Sequence, residues 1–254
     1  MAWGNQPARA LTDGVELARL LQLELASSAG LSQRIKLLAG AIKGRIAFST
    51  SLGIEDQAIL HAIAESGAGI DVFTLDTGRL FAETVDTIAA SEERFGIKIR
   101  LLAPDAREAE SLVARDGVLG FRNSIEARKA CCHVRKVVPL KRGLEGAAGW
   151  VTGLRRGQSG GRADMPFAAW DEEFKLVKLN PMADWPLETL EAYVQEHAIP
   201  VNPLHAKGFP SIGCASCTRA IKPGEDIRAG RWWWESDLGK ECGLHSRPPA
   251  VAAE

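Results

Sequence analysis

The sequence lacks any apolar run that approaches a membrane span. Its opening, MAWGNQPARALTDG, has no apolar stretch behind a basic segment, so neither an anchor nor a secretory signal is expected. It also lacks an excess of either charge: Lys plus Arg total 31 against 32 Asp plus Glu, a net charge of -1. That balance argues against a broad basic surface for nucleic acid. There is no internal repeat and no low-complexity block except the closing SRPPAVAAE, from Ser246 to Glu254. Cysteine is scarce, with five in 254 residues. Without an export signal, these point to a reducing, cytoplasmic setting where thiols serve metals or catalysis. The odd count suggests four that act together and one that acts alone. What remains is ordinary globular usage, 46% hydrophobic and 25% charged, in a chain long enough for one large α/β domain or two small ones.

Hydrophobic periodicity divides the chain into a helical opening, residues 1–44, an alternating middle, 45–180, and a Pro-punctuated end, 181–254. In the opening, Thr12 or Asp13 is expected to cap one helix, and a second runs from about Leu31 to Ile42. The middle alternates short apolar runs with amphipathic segments. RIAFS, IDVFTL, IKIRLL, WVTGL and FKLVKL read as strands, with Gly96 stopping one intervening helix and Asp105 capping the next. A long helix is expected from Ser124 to about Arg142. Strands spaced by helices predict a doubly wound, mostly parallel α/β sheet with helices on both faces. The last segment, with three of the five cysteines, is expected to pack as an appendage over the carboxyl ends of the strands, where such sheets bind ligands.

Three loops fall at those ends. The first strand runs into Ser49-Thr50-Ser51-Leu52-Gly53, small hydroxyl residues and a glycine ahead of a helix, a composition that presents donors to a phosphate. It is not a Walker loop, because no Gly-Lys-Ser/Thr follows. The second strand ends in Leu75-Asp76-Thr77-Gly78-Arg79, either a helix cap or the second wall of a nucleotide pocket. Gly153 to Arg162 concentrates Arg155, Arg156 and Arg162 among glycines, which suits a mobile cationic lid for phosphate or sulfate.

The cysteines carry the strongest signal. Cys131-Cys132 lie within the long expected helix, and Cys214-Ala215-Ser216-Cys217 forms a second pair spaced like metal ligands. Adjacent side chains on a helix diverge by roughly 100°, which is awkward for one zinc ion. A [4Fe–4S] cube offers four separated corners, so it ranks above zinc. Arg128, Arg135 and Lys136 flank the first pair at helical spacing and would stabilise an anionic centre or substrate. Cys242, in Lys240-Glu241-Cys242-Gly243-Leu244-His245, fits a nucleophile, with Lys240 and His245 near enough in sequence to favour the thiolate. Trp232-Trp233-Trp234 reads as packing that anchors the tail, and His61, His197 and His205 as structural.

Together, FSTSLGIED, LDTGR, CCHVRKVVPL, TGLRRGQSGGR, GCASC and KECGLH resemble the assimilatory adenylyl-sulfate (APS) reductases of the sulfonucleotide reductase family. The resemblance runs from about Arg45 to His245 with the motifs in the family's order. It implies an adenine nucleotide alpha-hydrolase-like fold and a [4Fe–4S] cluster on Cys131, Cys132, Cys214 and Cys217. It implies that Ser49, Thr50, Ser51 and Gly53 form a modified pyrophosphate loop, and that Leu75 and Gly78 border the adenosine. Arg135, Gly153, Arg155, Arg156, Arg162, Arg228 and Arg231 are the implied contacts to the rest of the substrate. Lys136 would stand between cluster and sulfate. Cys242 would be the nucleophile, assisted by His245. The implied reaction is reduction of adenosine 5'-phosphosulfate to sulfite and AMP through an S-sulfocysteine. Because no thioredoxin-like segment is fused here, a separate thioredoxin is the implied electron donor, and relatives suggest a homo-oligomer, a tetramer. Relatives that use the 3'-phosphorylated substrate (PAPS) generally lack the cluster cysteines, which favours APS, with a PAPS or dual-specificity enzyme as the alternative. A pyrophosphatase-type synthetase would need the Ser-Gly-Gly-X-Asp-Ser loop that is missing here. A metal-dependent sensor would leave the nucleotide loops without a purpose.

Overall fold

The computed structural model describes residues 6–28, 30–158, 160–235 and Leu244. Two helices open it, α1 (Gln6–Ser27) and α2 (Leu31–Ala41). The expected cap at Thr12 or Asp13 falls inside α1, which starts earlier. Six strands follow, β1 (Arg45–Thr50), β2 (Asp71–Leu75), β3 (Arg100–Leu102), β4 (Ala147–Val151), β5 (Ala168–Asp171) and β6 (Leu176–Leu179). They form one sheet in the order β3-β2-β1-β4-β6-β5. All neighbours are parallel except β5 with β6, a short antiparallel edge pair that the sequence pattern did not reveal.

Between the strands lie α3 (Ile54–Ser66), α4 (Ala82–Phe95), α5 (Ala106–Asp116), α6 (Ile125–Cys132) and α7 (Val138–Leu144), and α8 (Leu187–Glu196) comes after the sheet. The caps follow the chemistry of their residues. Gly96 ends α4 in the left-handed conformation, and the Asp105 side chain accepts from the Glu108 amide at the start of α5.

Alternation along the strands sorts residues between two layers. Ile46, Phe48, Val72, Val151 and Val177 face a core shared with α1, α2, α3 and α8. Ala47, Phe73, Trp150 and Leu176 face the other side, under Leu140 and Leu144 of α7. A Cβ on Gly143 would stand 2.7 Å from the Phe73 ring, so only glycine lets α7 lie this close to the sheet. The expected doubly wound sheet, helices on both faces, is what forms.

One expectation is corrected. The helix expected to run unbroken from Ser124 to Arg142 is interrupted after the cysteine pair by a π-helical turn over His133–Val137. Pro139 accounts for the break, because it has no N–H to give to residue 135 and its ring crowds that carbonyl. Cys131 and Cys132 therefore end α6 instead of lying mid-helix.

Candidate active site

The strand order reverses between β1 and β4, and the loops leaving these two strands diverge there. The loop after β1 is held by its own side chains. Thr50 Oγ1 accepts from the Leu52 amide at 3.0 Å, and Ser51 donates to Asp56 Oδ2 through both its amide (2.5 Å) and its hydroxyl (2.7 Å). Leu52 adopts φ +58, a conformation seldom taken by a branched side chain, and is fully buried. The strained turn aims Ser49, Thr50 and Ser51 at one cleft and opens the N-terminus of α3 on it. From β4, the Trp150 indole donates to Ser49 Oγ at 2.8 Å.

The cleft holds about 240 Å³, near the lower end of small-molecule sites (roughly 300–1,000 Å³). One wall is Ser49, Thr50, Ser51, Thr152 and Gly153; Leu75, the last residue of β2, and Thr77 just beyond it border the cleft. Its cations are Lys136, Arg162, Arg228 and Arg231, and Leu244 closes part of it. Arg231 donates to Ser211 Oγ (3.2 Å) and the Ile212 carbonyl (3.3 Å), and a Cβ on Gly213 would stand 2.4 Å from its guanidinium.

A second, smaller cavity lies beside the first. Cys131, Cys132, Cys214 and Cys217 all line it, together with Arg79, Arg128, Arg135 and Lys136. The turn carrying the second pair is tied down through Ala215 to the Arg79 carbonyl (2.8 Å) and through Arg122 to the Ser216 carbonyl (3.0 Å). Burial pushes the Cys214 thiol up, but Lys136, the Thr77 hydroxyl 3.3 Å away, Arg231 and Arg79 together bring it below its ordinary value. Burial holds the Cys131 and Cys217 thiols above theirs. Among the described residues, no three His, Cys, Asp or Glu side chains converge as ligands of a single metal ion. Lys136, Cys214 and Trp232 line both cavities and form the wall between them.

Residues 45–220 match the phosphoadenosine phosphosulfate reductase domain. The chain belongs to this reductase family. An adenosine 5'-phosphosulfate reductase from Agrobacterium fabrum is 59% identical over 227 residues, 88% of this chain and 87% of that protein. One from Sinorhizobium fredii is 54% identical over 238 residues, covering 94% and 90%. By its family the chain is an enzyme of the oxidoreductase class. The fold is likewise that of a solved phosphoadenylyl-sulfate reductase from Candida auris, with a TM-score of 0.67 at 22% identity over 78% of this chain and 94% of the other.

Within the reductase, the residues singled out in the sequence do not all meet at one place. Ser49, Thr50, Ser51, Leu75, Lys136, Gly153, Arg162, Arg228 and Arg231 line the cleft. Arg135 lines the cysteine cavity instead, donating to the Thr77 carbonyl at 2.8 Å, beneath the left-handed Gly78. Gly53 is the N-cap of α3. Arg155 is buried against Glu55 (2.8 Å) and the Trp185 carbonyl (3.1 Å), and Arg156 lies over Phe167 with a bond to the Met165 carbonyl. So of the three arginines expected on a mobile lid, two are anchored in the body of the protein. Cys242 and His245 lie outside the described residues. His61 is bonded to the Tyr193 hydroxyl at 2.7 Å and stacks on His197, as a structural role requires.

Sequence reasoning missed Asp56, Gln158 and Arg79. Asp56 lines the cleft with its carboxyl pushed up to about 6 by burial, against which the two Ser51 hydrogen bonds pull down. It stands in an acidic pair in the first turn of a helix, where a carboxylate ordinarily serves the helix dipole in solvent, and that pattern conceals burial. Gln158 takes the Arg155 amide and donates to the Gly153 carbonyl, closing the loop after β4.

Proposed function

We propose that this enzyme reduces adenosine 5'-phosphosulfate, the compound that its relatives' names give as what they reduce, to sulfite and AMP in sulfate assimilation. The observation that carries the reading is the shared wall: Lys136 faces a cation-lined cleft at the sheet's switch point and, on its other side, a cavity lined by four cysteines. A hydroxyl-rich loop at a helix N-terminus suits the nucleotide phosphate, and Arg162, Arg228, Arg231 and Lys136 suit the sulfate end.

Cys242 supplies the nucleophile. Leu244, two positions later in the sequence, lines the cleft and packs against the cluster of Phe73 and Leu140, and two residues of chain span at most ~7 Å. The Cys242 thiolate attacks the sulfate sulfur, a sulfur–sulfur bond forms, and the sulfur–oxygen bond to phosphate breaks with its electron pair leaving on AMP. Anion meets anion in this step, so the cations around the cleft offset repulsion that grows towards the transition state. A dithiol protein of the thioredoxin kind then attacks Cys242 Sγ and releases sulfite. Its second thiol resolves the mixed disulfide, so the dithiol is oxidised by two electrons and the substrate sulfur reduced by two.

The cysteine cavity fits a [4Fe–4S] cluster on Cys131, Cys132, Cys214 and Cys217. Four thiols that share a cavity without converging on one point suit a polynuclear group better than a zinc ion. The Arg135 Nε–H, buried and without a hydrogen-bond partner among the described residues, suits an anionic occupant. Bound there, the cluster would supply an anionic centre beside Lys136, an electrostatic and structural contribution that requires no change in its oxidation state.

The test is sulfite release by anaerobically purified protein with reduced thioredoxin, from APS and separately from PAPS. Activity with APS and little with PAPS is expected, abolished by Cys242→Ser while AMP still binds. Turnover by the serine variant would remove Cys242 from the reaction. Equal rates with PAPS would make the enzyme dual-specific.

A further inference from the structure

Trp232 is 1% exposed, lines both cavities and adopts φ +43, a conformation L side chains rarely take. Two guanidinium groups lie over its ring, that of Arg128 at 4.5 Å from the centroid and that of Arg231 at 4.8 Å. Each belongs to a different site: Arg128 lines the cysteine cavity and Arg231 the cleft. Neighbouring structure fixes the indole. Its backbone amide donates to the Cys217 carbonyl at 3.1 Å, and Thr218 pairs with Arg231 in an antiparallel bridge. Arg128 is held from behind, its Nε donating to Glu235 at 2.5 Å. Among the described residues the indole N–H has no acceptor, and what the fold takes from this side chain is its ring.

We propose that Trp232 is a positioning residue for the reaction: its ring face sets the Arg231 guanidinium toward the phosphosulfate. The proposal rests on the reading of the cleft given above, in which Arg231 meets the anionic substrate. Arginine has a long side chain with many rotamers, and free choice among them would weaken anion binding. A buried aromatic face removes most of those alternatives, and its attraction for a cation is strongest where water is excluded. The Cys214–Cys217 turn holds the Trp232 backbone, so the aim of Arg231 is tied to the segment that carries two of the four cavity cysteines.

A double-mutant cycle tests this. Trp232→Leu is expected to lower kcat/KM for APS by about tenfold, mostly through KM, consistent with losing a desolvated cation–π contact. In the Arg231→Ala background the same substitution should cost less than about twofold, because the group it positions is gone. Trp232→Phe, which keeps a ring but no N–H, should recover most of the loss. Visible absorbance and melting temperature are recorded for every variant. If the leucine variant does not fold, the phenylalanine variant runs through the same cycle, and any loss it shows must vanish without Arg231. An equal loss in both backgrounds, or a phenylalanine variant as impaired as leucine, overturns the proposal while leaving the cleft intact. An Arg231→Ala enzyme with unchanged KM overturns the reading of the cleft, and the proposal with it.

Discussion

A Cβ placed on Gly153 would stand 2.0 Å from Oδ1 of Asp56, nearer than any non-bonded atoms come. The loop after β4 and the first turn of α3 thus meet at a point where only glycine and a buried carboxyl fit together. Both line the cleft, so this contact sets how far apart its two walls stand. Gly153→Ala is expected to destabilise the protein by about 1–3 kcal/mol, the usual cost of overpacking, and to raise KM for the nucleotide. The decisive measurement is urea unfolding of the pair. Asp56→Ala should cost clearly less in the Gly153→Ala background than alone, since it removes the clashing atoms. Strict additivity would show that the loop moves away freely.

The same carboxyl makes stability depend on pH. Burial raises the Asp56 pKa from 3.8 to about 6, so between those values the folded protein holds a proton that the unfolded chain has released. Stability from this group is full below 3.8 and falls as pH rises through about 6. The loss is on the order of 3 kcal/mol, since a proton held across each pH unit of that window contributes about 1.4 kcal/mol. Asp56→Asn carries no such charge. Relative to the native protein its stability should gain across that window and then level off. Unfolding free energies measured at a series of pH values check it, and a constant difference between the two proteins would mean that Asp56 is ionised without penalty.

The sheet was legible because its strands alternate or run apolar and its helices carry ordinary caps; Gly96 and Asp105 act where the sequence places them. The break at His133–Val137 was less so. Cys131, Arg135 and Lys136 sit at spacings that a continuous α-helix would satisfy, and only Pro139 hints at the interruption. The Arg155–Glu55 pair was hidden for a different reason. Arginines among glycines look alike whether they face solvent, a ligand or a carboxylate 100 residues away, and the partner is fixed by tertiary packing. Leu52 and Trp232 carry left-handed backbone that no propensity would assign to them; Trp232 lines the cleft, and Leu52 follows Ser51, which lines it too.

Lys136 is placed to be felt on both sides of the shared wall. On the cysteine side its ammonium is the leading influence drawing the Cys214 thiol downward against burial. On the cleft side it stands with Arg162, Arg228 and Arg231, the cations that would meet the anionic substrate in the proposed reaction. Lys136→Ala is expected to keep the visible absorbance of the holoprotein and to lower kcat by well over tenfold, more than about 1.4 kcal/mol of transition-state stabilisation. Stopped assays of sulfite, set beside a spectrum of the same sample, separate the two effects. Native turnover in this variant would take Lys136 out of the reaction, and a colourless preparation would assign it to cluster retention instead.

Loss of one thiol from the cysteine cavity should behave differently, because a cluster held there would make the metal group and the fold depend on each other. Cys131 lies in the last turn of α6 and Cys214 begins a turn on a segment more than 80 positions later, and both line the one cavity. Four thiolates bound to one cluster would therefore hold α6 and the later turn together, and ligand binding of this kind adds directly to folding free energy. Cys131→Ser, or removal of iron from the native protein by anaerobic chelation, is expected to abolish the visible absorbance and lower the melting temperature. Protease sensitivity should rise first in the segment around Ser211 to Glu235. Sulfite release should fall in parallel, since Lys136, Trp232 and Arg231 take their positions from that segment and from the π turn. A colourless protein that melts and turns over like the native enzyme would show that the cavity plays no part in either stability or catalysis.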